Sequence, residues 1–484
     1  MPPAPLAPLP IDEALPALTA ALRTGSSAVL VAPPGAGKTT RVPLALLDEP
    51  WVAGRKILVL EPRRIAARAA AERMAATLGE AAGDTVGYRA RFGTKVGRRT
   101  RIEVITEGIF TRMVIDDPEL TGVAAVLFDE FHERSLDADL GLALALDAQA
   151  GLREDLRILV MSATLDGARV ARLLAGAPII ESQGRAYPVE TRYAGRDPRA
   201  FIDRQMTDAV LRALATEPGS VLAFLPGTAE IRRTERALRE AVRDTTIEIA
   251  PLYGALSSAE QDRAISPAPN GRRKVVLATS IAETSLTIEG VRIVIDSGLA
   301  RVPRFEPGVG LTRLETVRVS RAAADQRRGR AGRTEPGVCW RLWSEAETQS
   351  LPAFATPEIL AADLSRLMLD LAVWGVTDPG TLAFLDAPPD AAVKEARALL
   401  TTLGAFREGQ VSEIGRAMAR LPLEPRLARM VIEGARQDAG ELAASIATIA
   451  SERGLGGDSV DLNHRLADLA RDRSKRGDEA RKLS

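Results

Sequence analysis

The chain has 484 residues, 46% of them apolar, and its 64 basic residues balance 64 acidic ones to leave no net charge. At ~150 residues per domain that length implies roughly three domains, with apolar content ample for their cores, which excludes a disordered chain. A lone cysteine excludes a disulfide framework, the Pro-rich start lacks a signal-peptide pattern, and no apolar run approaches the ~20 residues of a membrane span, so a cytoplasmic protein is expected.

The first predicted element is the β-branched run SAVLVA, Ser27 to Ala32, a buried strand. Pro33-Pro34-Gly35-Ala36-Gly37 breaks it, and Lys38-Thr39-Thr40 opens a helix. Backbone N–H groups in such a turn face a phosphate chain, helped by the positive end of the helix dipole. Pro34 to Thr40 therefore form the expected nucleotide cradle, with Lys38 on the β- and γ-phosphates and Thr39 on Mg²⁺. The strict P-loop pattern has glycine where this chain has Ala32, but the close-approach glycines Gly35 and Gly37 are present.

Further strands are predicted at Lys56 to Leu60, Arg101 to Thr106, Ala124 to Asp129 and Arg157 to Ser162, each followed by helical sequence. That alternation marks a doubly wound parallel sheet. The strand AVLF delivers Asp129 and Glu130 to its carboxyl end, where such sheets bind ligands. Asp129 is placed to take Mg²⁺ through water, and Glu130 to activate the attacking water. His132, one of two histidines, stands beside these acids and suits a role in coupling sites; His464 lies in the helical tail and reads as structural.

A second α/β series follows, with strands at Ser220 to Leu225, Ile247 to Leu252, Lys274 to Ala278 and Arg292 to Ile295. Arg301 to Val319 reads as a hairpin turning at Pro307, Gly308 and Gly310. The run QRRGRAGR, Gln326 to Arg333, is a second phosphate-handling signature, and Cys339 in VCWRLW reads as core filling. From Thr356 onward amphipathic helices replace the strands, and Arg471 to Ser484 is a charge-dense end suited to a solvated helix. A neutral chain does not advertise nucleic-acid binding, so any such grip must be local. The excess of Arg over Lys suits bidentate phosphate contacts, and coding bias explains it equally well.

In order, APPGAGKTT, DEFH, Ser162-Ala163-Thr164 and QRRGRAGR resemble the core motifs of DEAH-type superfamily 2 helicases, most closely the bacterial HrpB-type branch. LEPRRIAAR, TEGIFTR, FLPGTAEI, PLYGAL and ATSIAETSLTI agree, so the resemblance covers about residues 15 to 450. It implies two tandem RecA-like domains, residues 1–188 and 189–350, then a winged-helix-like domain, 351–421, and the start of a ratchet-like helical bundle, 422–484. It further implies an ATP- or NTP-driven, monomeric motor on single-stranded RNA moving 3′ to 5′, with DNA left open because 2′-OH recognition has no short signature. Gln326 would position the attacking water, and Arg330 and Arg333 would be arginine fingers. Ser162 and Thr164 would link the nucleotide to the RNA track, gripped by Arg63, Arg64, Thr106 and Thr279 through phosphate and sugar. The hairpin fits either strand separation or an ordinary surface turn.

Two departures from the family pattern stand out. Arg73 matches the arginine that stacks on the base, but the facing aromatic position holds Ile265, which predicts poor base discrimination. Glu289 stands where the family often has an aspartate on the ribose. Relatives continue beyond the length of this chain, as expected of either a shorter branch member or a truncated product; an incomplete bundle would impair processive unwinding before hydrolysis.

Overall fold

The computed structural model describes residues 8–91, 93–163, 167–184, 187–269, 271–283, 288–306, 311–451, 454–457, 459–473 and 477–478. Two parallel sheets dominate it. The first is built from β1 (Ser27–Val31), β2 (Lys56–Glu61), β3 (Val86–Ala90), β4 (Gly93–Lys95), β5 (Ile102–Thr106), β6 (Val123–Phe128), β7 (Arg157–Ser162) and β8 (Ile179–Glu181). Their spatial order is β4-β3-β5-β2-β6-β7-β1-β8, with only β4 antiparallel to its neighbour. The central strands are buried along nearly their whole length, as a sheet covered by helices on both faces requires.

The second sheet contains β9 (Val189–Tyr193), β10 (Ser220–Phe224), β11 (Ile247–Leu252), β12 (Arg273–Ala278) and β13 (Val291–Asp296). The antiparallel pair β14 (Leu299–Glu306) and β15 (Leu311–Arg318) then projects from it, before β16 (Gly337–Arg341) returns to the sheet. The order is β11-β12-β10-β13-β16-β9, parallel throughout. The strands read from apolar runs agree with those observed to within a residue at either end. Sequence reading missed the β3–β4 hairpin and the short edge strands β8 and β9. The hairpin turn expected at Pro307, Gly308 and Gly310 lies outside the described residues.

Helices Ser365–Trp374, Asp390–Thr402 and Glu413–Ala419 surround a two-stranded wing, β17 (Phe406–Arg407) and β18 (Gln410–Val411). Glu408 and Gly409 both have positive φ, 52° and 80°, the backbone of a tight primed hairpin turn. Helices Pro425–Arg436, Gly440–Ser451 and Leu462–Arg471 follow.

The cores are not distributed one per domain. One face of the first sheet packs under the N-terminal helices, with Leu18, Leu30, Val42 and Met74 buried. Its other face shares a single apolar core with the winged-helix region, joining Leu60, Phe128 and Leu142 to Ile359, Leu367, Met368 and Met418. Helix Leu136–Gly151 lies in this layer and is apolar nearly all round, as a helix buried on both sides must be. Cys339 is indeed core filling, and burial pushes its thiol up to about 12.

Candidate functional site

All but one of the core motifs sit at the carboxyl end of a strand; QRRGRAGR instead spans the end of the helix Arg321–Gly329 and the turn beyond it. The phosphate turn follows β1, Arg63 and Arg64 follow β2, Thr106 ends β5, Asp129 and Glu130 follow β6, and Ser162 ends β7. In the second sheet Thr279 follows β12. Parallel strands put all these ends on one edge, which faces the cleft between the sheets.

In the turn, Gly35 and Gly37 have φ of 86° and 99°, a left-handed backbone that glycine adopts without strain. A Cβ on Gly37 would also lie 2.6 Å from Leu9 Cδ1. Ala32 is fully buried and its N–H donates to the Ser162 carbonyl at 2.9 Å, so a methyl group there belongs to the core. Ala36 accepts from Ile11 N at 3.1 Å, Thr40 N donates to Gly37 O at 3.2 Å, and Pro34 lies half-buried beside them.

Lys38 begins the helix Lys38–Leu46 and is 3% exposed. Its Nζ lies 2.7 Å from Glu130 Oε1 and 3.7 Å from Asp129 Oδ1, while Thr39 Oγ1 donates to Asp129 Oδ2. Burial opposes the charge on Glu130, but Lys38, His132 and Arg330 outweigh it and hold this carboxyl down to about 2. Burial likewise opposes the charge on Lys38, yet the two acids push it up to about 12. Asp129 is raised, by burial and by the neighbouring Glu130. Glu130 itself has φ 49°, the left-handed region that a side chain adopts only at a cost.

His132 joins the two halves. Its Nδ1 lies 3.4 Å from both Glu130 Oε2 and Ala163 N, and its Nε2 lies 2.8 Å from the side-chain amide of Gln326 in the second domain. A proton on Nδ1, toward the Glu130 carboxylate, leaves Nε2 to accept the Gln326 amide N–H. Ser162 is fully buried between the phosphate turn and this histidine's neighbour Ala163; Thr164 lies outside the described residues.

Gln326 ends the helix Arg321–Gly329 together with Arg327 and Arg328, and Arg330–Gly332 forms a tight turn beyond it. Arg333 reaches across the cleft: a Cβ built on Gly35 would lie 3.5 Å from its Nε. Arg330 donates Nε–H to the Glu283 carbonyl at 2.8 Å and stands in the field of Glu130. Burial lowers both arginines, Arg333 to about 10, and mutual repulsion lowers Arg330 further. Two buried cations destabilised in this way, above a lysine and a threonine–aspartate pair, fit a polyanion with a divalent cation.

The remaining predicted residues divide. Arg73 and Glu289 face each other from opposite domains at 3.9 Å and are both more than half exposed, at the outer mouth of the cleft. Ile265 packs instead against the second domain's core. Arg64 is exposed, whereas Arg63 turns inward and gives Glu133 two hydrogen bonds of 3.1 and 3.3 Å. Glu133 was missed in the sequence, although its place one residue after DEFH, on the same turn as His132, was a signal. Arg63, His132, Glu133 and Gln326 line one wall of a cavity of about 1000 Å³. The hairpin β14–β15 and helix Asp390–Thr402 close its other sides.

Residues 12–173 match the DEAD/DEAH box helicase family, 205–335 the helicase conserved C-terminal domain, and 396–423 the winged-helix helicase associated domain. The ATP-dependent RNA helicase HrpB of Escherichia coli (strain K12) is 50% identical over 444 residues, 92% of this chain and 55% of that protein. The pre-mRNA-splicing factor ATP-dependent RNA helicase prp22 of Schizosaccharomyces pombe is 37% identical over 87% of this chain and 37% of that one. The crystal structure of Escherichia coli DEAH/RHA helicase HrpB superposes with TM-score 0.92 at 47% identity, covering 98% of this chain and 60% of that one. The chain thus spans little more than half the length of the HrpB proteins it matches.

Proposed function

The chain belongs to the DEAH-type DEAD/DEAH box helicases, and from that premise we propose that it is an NTP-driven RNA helicase, hydrolysing ATP between its two sheets to move on single-stranded RNA. The observation that carries this reading is the meeting of Arg330 and Arg333 from one domain with Gly35 and the Lys38–Glu130 pair of the other.

Lys38 leaves Glu130 when the β- and γ-phosphates claim its charge. While Lys38 holds it, Glu130 is too weak a base to take a proton from water. Losing that partner raises its pKa, so arrival of the substrate switches the base on. Mg²⁺, held by Thr39 and through water by Asp129, would neutralise charge on the phosphate oxygens. Gln326 orients the attacking water, and His132 carries the state of Glu130 to the second domain. Arg330 and Arg333 stabilise charge spreading over the transferred phosphoryl group, which is worth on the order of 10³–10⁵ in rate. Because these parts lie on different domains, hydrolysis requires a closed cleft, and loss of the γ-phosphate removes the bridge that closes it. Arg73 and Glu289 flank the base and ribose at the mouth. Arg64, Thr106 and Thr279 hold the RNA backbone, with Arg63 joining them when a phosphate replaces Glu133.

Steady-state ATP hydrolysis with and without single-stranded RNA, with Glu130→Gln as control, tests the reading. Strong stimulation that the substitution abolishes is expected. Hydrolysis indifferent to RNA contradicts it, and equal stimulation by single-stranded DNA would widen the track to both nucleic acids.

A further inference from the structure

One arginine of QRRGRAGR never reaches the cleft. Arg327 is fully buried inside the second domain, 4.9 Å from the centroid of the Phe224 ring. It donates Nε–H to Glu283 Oε1 at 2.7 Å, with a second bond from Nη2 to the same oxygen. Its Nη1 donates to Asp296 Oδ1 at 2.6 Å and to the Leu299 carbonyl at 3.2 Å. Asp296 is fully buried too, and Oδ1 also accepts from Gly298 N at 2.8 Å. A guanidinium fixed on two carboxylates and an aromatic face has no freedom left to explore.

Glu283 is therefore pinned through its side chain. Its backbone carbonyl accepts the Nε–H of Arg330. The Nε edge of that arginine is thus committed to its own domain and not to the nucleotide.

Such an anchor answers a specific need. Arg330 and Arg333 are buried together and repel each other. Weakening the hydrogen bond to Glu283 lets that repulsion shift Arg330 away from Arg333 when the cleft lacks an anion. Electrostatic catalysis depends on donors that are in place before charge develops.

We propose that Glu283 is a positioning residue for phosphoryl transfer, clamped by Arg327 and holding Arg330 in place through its backbone carbonyl. This rests on the reading of Arg330 as an arginine finger. A finger displaced by ~1 Å loses on the order of 10²-fold in rate. Glu283→Gln keeps the size of the side chain but weakens its hold on Arg327.

The test is a double-substitution cycle on the whole chain, measuring ATP turnover with saturating single-stranded RNA. Glu283→Gln is expected to lower kcat about 10- to 100-fold, with KM for ATP within about threefold of the parent. Glu283→Gln combined with Arg330→Ala should be no slower than Arg330→Ala alone, because the anchor has nothing left to aim. In binding, Glu283→Gln should weaken ADP with aluminium fluoride and leave ADP alone unchanged. Equal slowing in both backgrounds, or an unchanged kcat, overturns the proposal. Parental turnover in Arg330→Ala would instead overturn the finger reading, and the proposal with it. If Glu283→Gln does not fold, Arg327→Lys gives the same cycle, since it keeps a charge against Asp296 but loses the fork on Glu283.

Discussion

The first domain meets its neighbours in two opposite ways. Toward the second domain it offers charge: Lys38, Glu130 and His132 at the centre, an Arg68–Asp262 pair and an Arg73–Glu289 pair at 3.9 Å toward the rim. Ile65 and Ala69 are the apolar side chains of its helix Arg64–Thr77 that join the second domain's core. Toward the winged-helix region it offers oil, with Leu142 and Phe128 in the same core as Leu367, Met368 and Met418. Polar contacts there are tied off: Arg134 bridges Asp139 and Asp386, Trp374 Nε1 donates to Asp147 at 2.7 Å, and Leu136 N donates to Glu358 at 2.9 Å. Exposed ion pairs contribute about 0–1 kcal/mol each, whereas opening an apolar core costs several times that per large side chain. The first boundary is made to open, and the second to stay shut.

The largest expected effect lies at the opening boundary. Arg330→Ala should lower RNA-stimulated kcat on the order of 10³-fold or more, with the unfolding midpoint near the parent's. A loss below tenfold would leave the cleft without its catalytic reason to close.

At the closed boundary, Leu367→Ala should cost about 2–5 kcal/mol in urea unfolding. First domain and winged-helix region should still unfold in one transition, read by intrinsic fluorescence and far-ultraviolet circular dichroism together. A separate early transition for the winged-helix region would mean that the shared core does not hold the two together.

A smaller effect concerns Glu107, buried near the closed boundary. Burial raises its carboxyl to about 8, the Ser135 hydroxyl opposes this, and Glu133, Asp137 and Glu358 add to it. An acid raised on folding contributes stability that is whole below its ordinary value near 4.5 and is lost as pH climbs to about 8. Glu107→Gln should therefore melt with the parent at pH 4.5 and several degrees above it at pH 8. Equal melting at both pH values would place the Glu107 charge in water.

The smallest effect is at the cleft mouth. With Ile265 packed on the core and the exposed Arg73–Glu289 pair at the cleft mouth, where the base is proposed to lie, turnover of ATP, GTP, CTP and UTP should agree within about tenfold. Strict use of ATP would require a base contact that these residues do not make.

The geometry of the candidate site was legible because its signals are local. A left-handed turn needs Gly35 and Gly37, and acids at a strand's end need only the apolar run before them. Both sheets were legible for the same reason: central strands read as continuous apolar runs. The hairpin strands β3 and β4 escaped because neither is an apolar run, and the short edge strands β8 and β9 because their partners β1 and β16 are distant in sequence. Arg63 was read as a nucleic-acid contact without its partner Glu133, since 70 residues separate them. The shared core with the winged-helix region was written in Leu136–Gly151, whose leucines and alanines cover most of its circumference. A helix apolar over most of its circumference says that it is covered, and not by what.

If the first boundary opens and the second holds, the first domain and the winged-helix region form one body against which the second domain moves. Paired spin labels measure this directly, because the native Cys339 is buried and unreactive. One pair would join Leu152 to Glu240 across the cleft, and the other Leu152 to Lys394 within the proposed body, all at exposed positions. Between nucleotide-free protein and protein with a non-hydrolysable ATP analogue, the first distance should change and the second should stay constant. A Leu152–Lys394 distance that changes as much as the other would mean that the winged-helix region moves apart from the first domain.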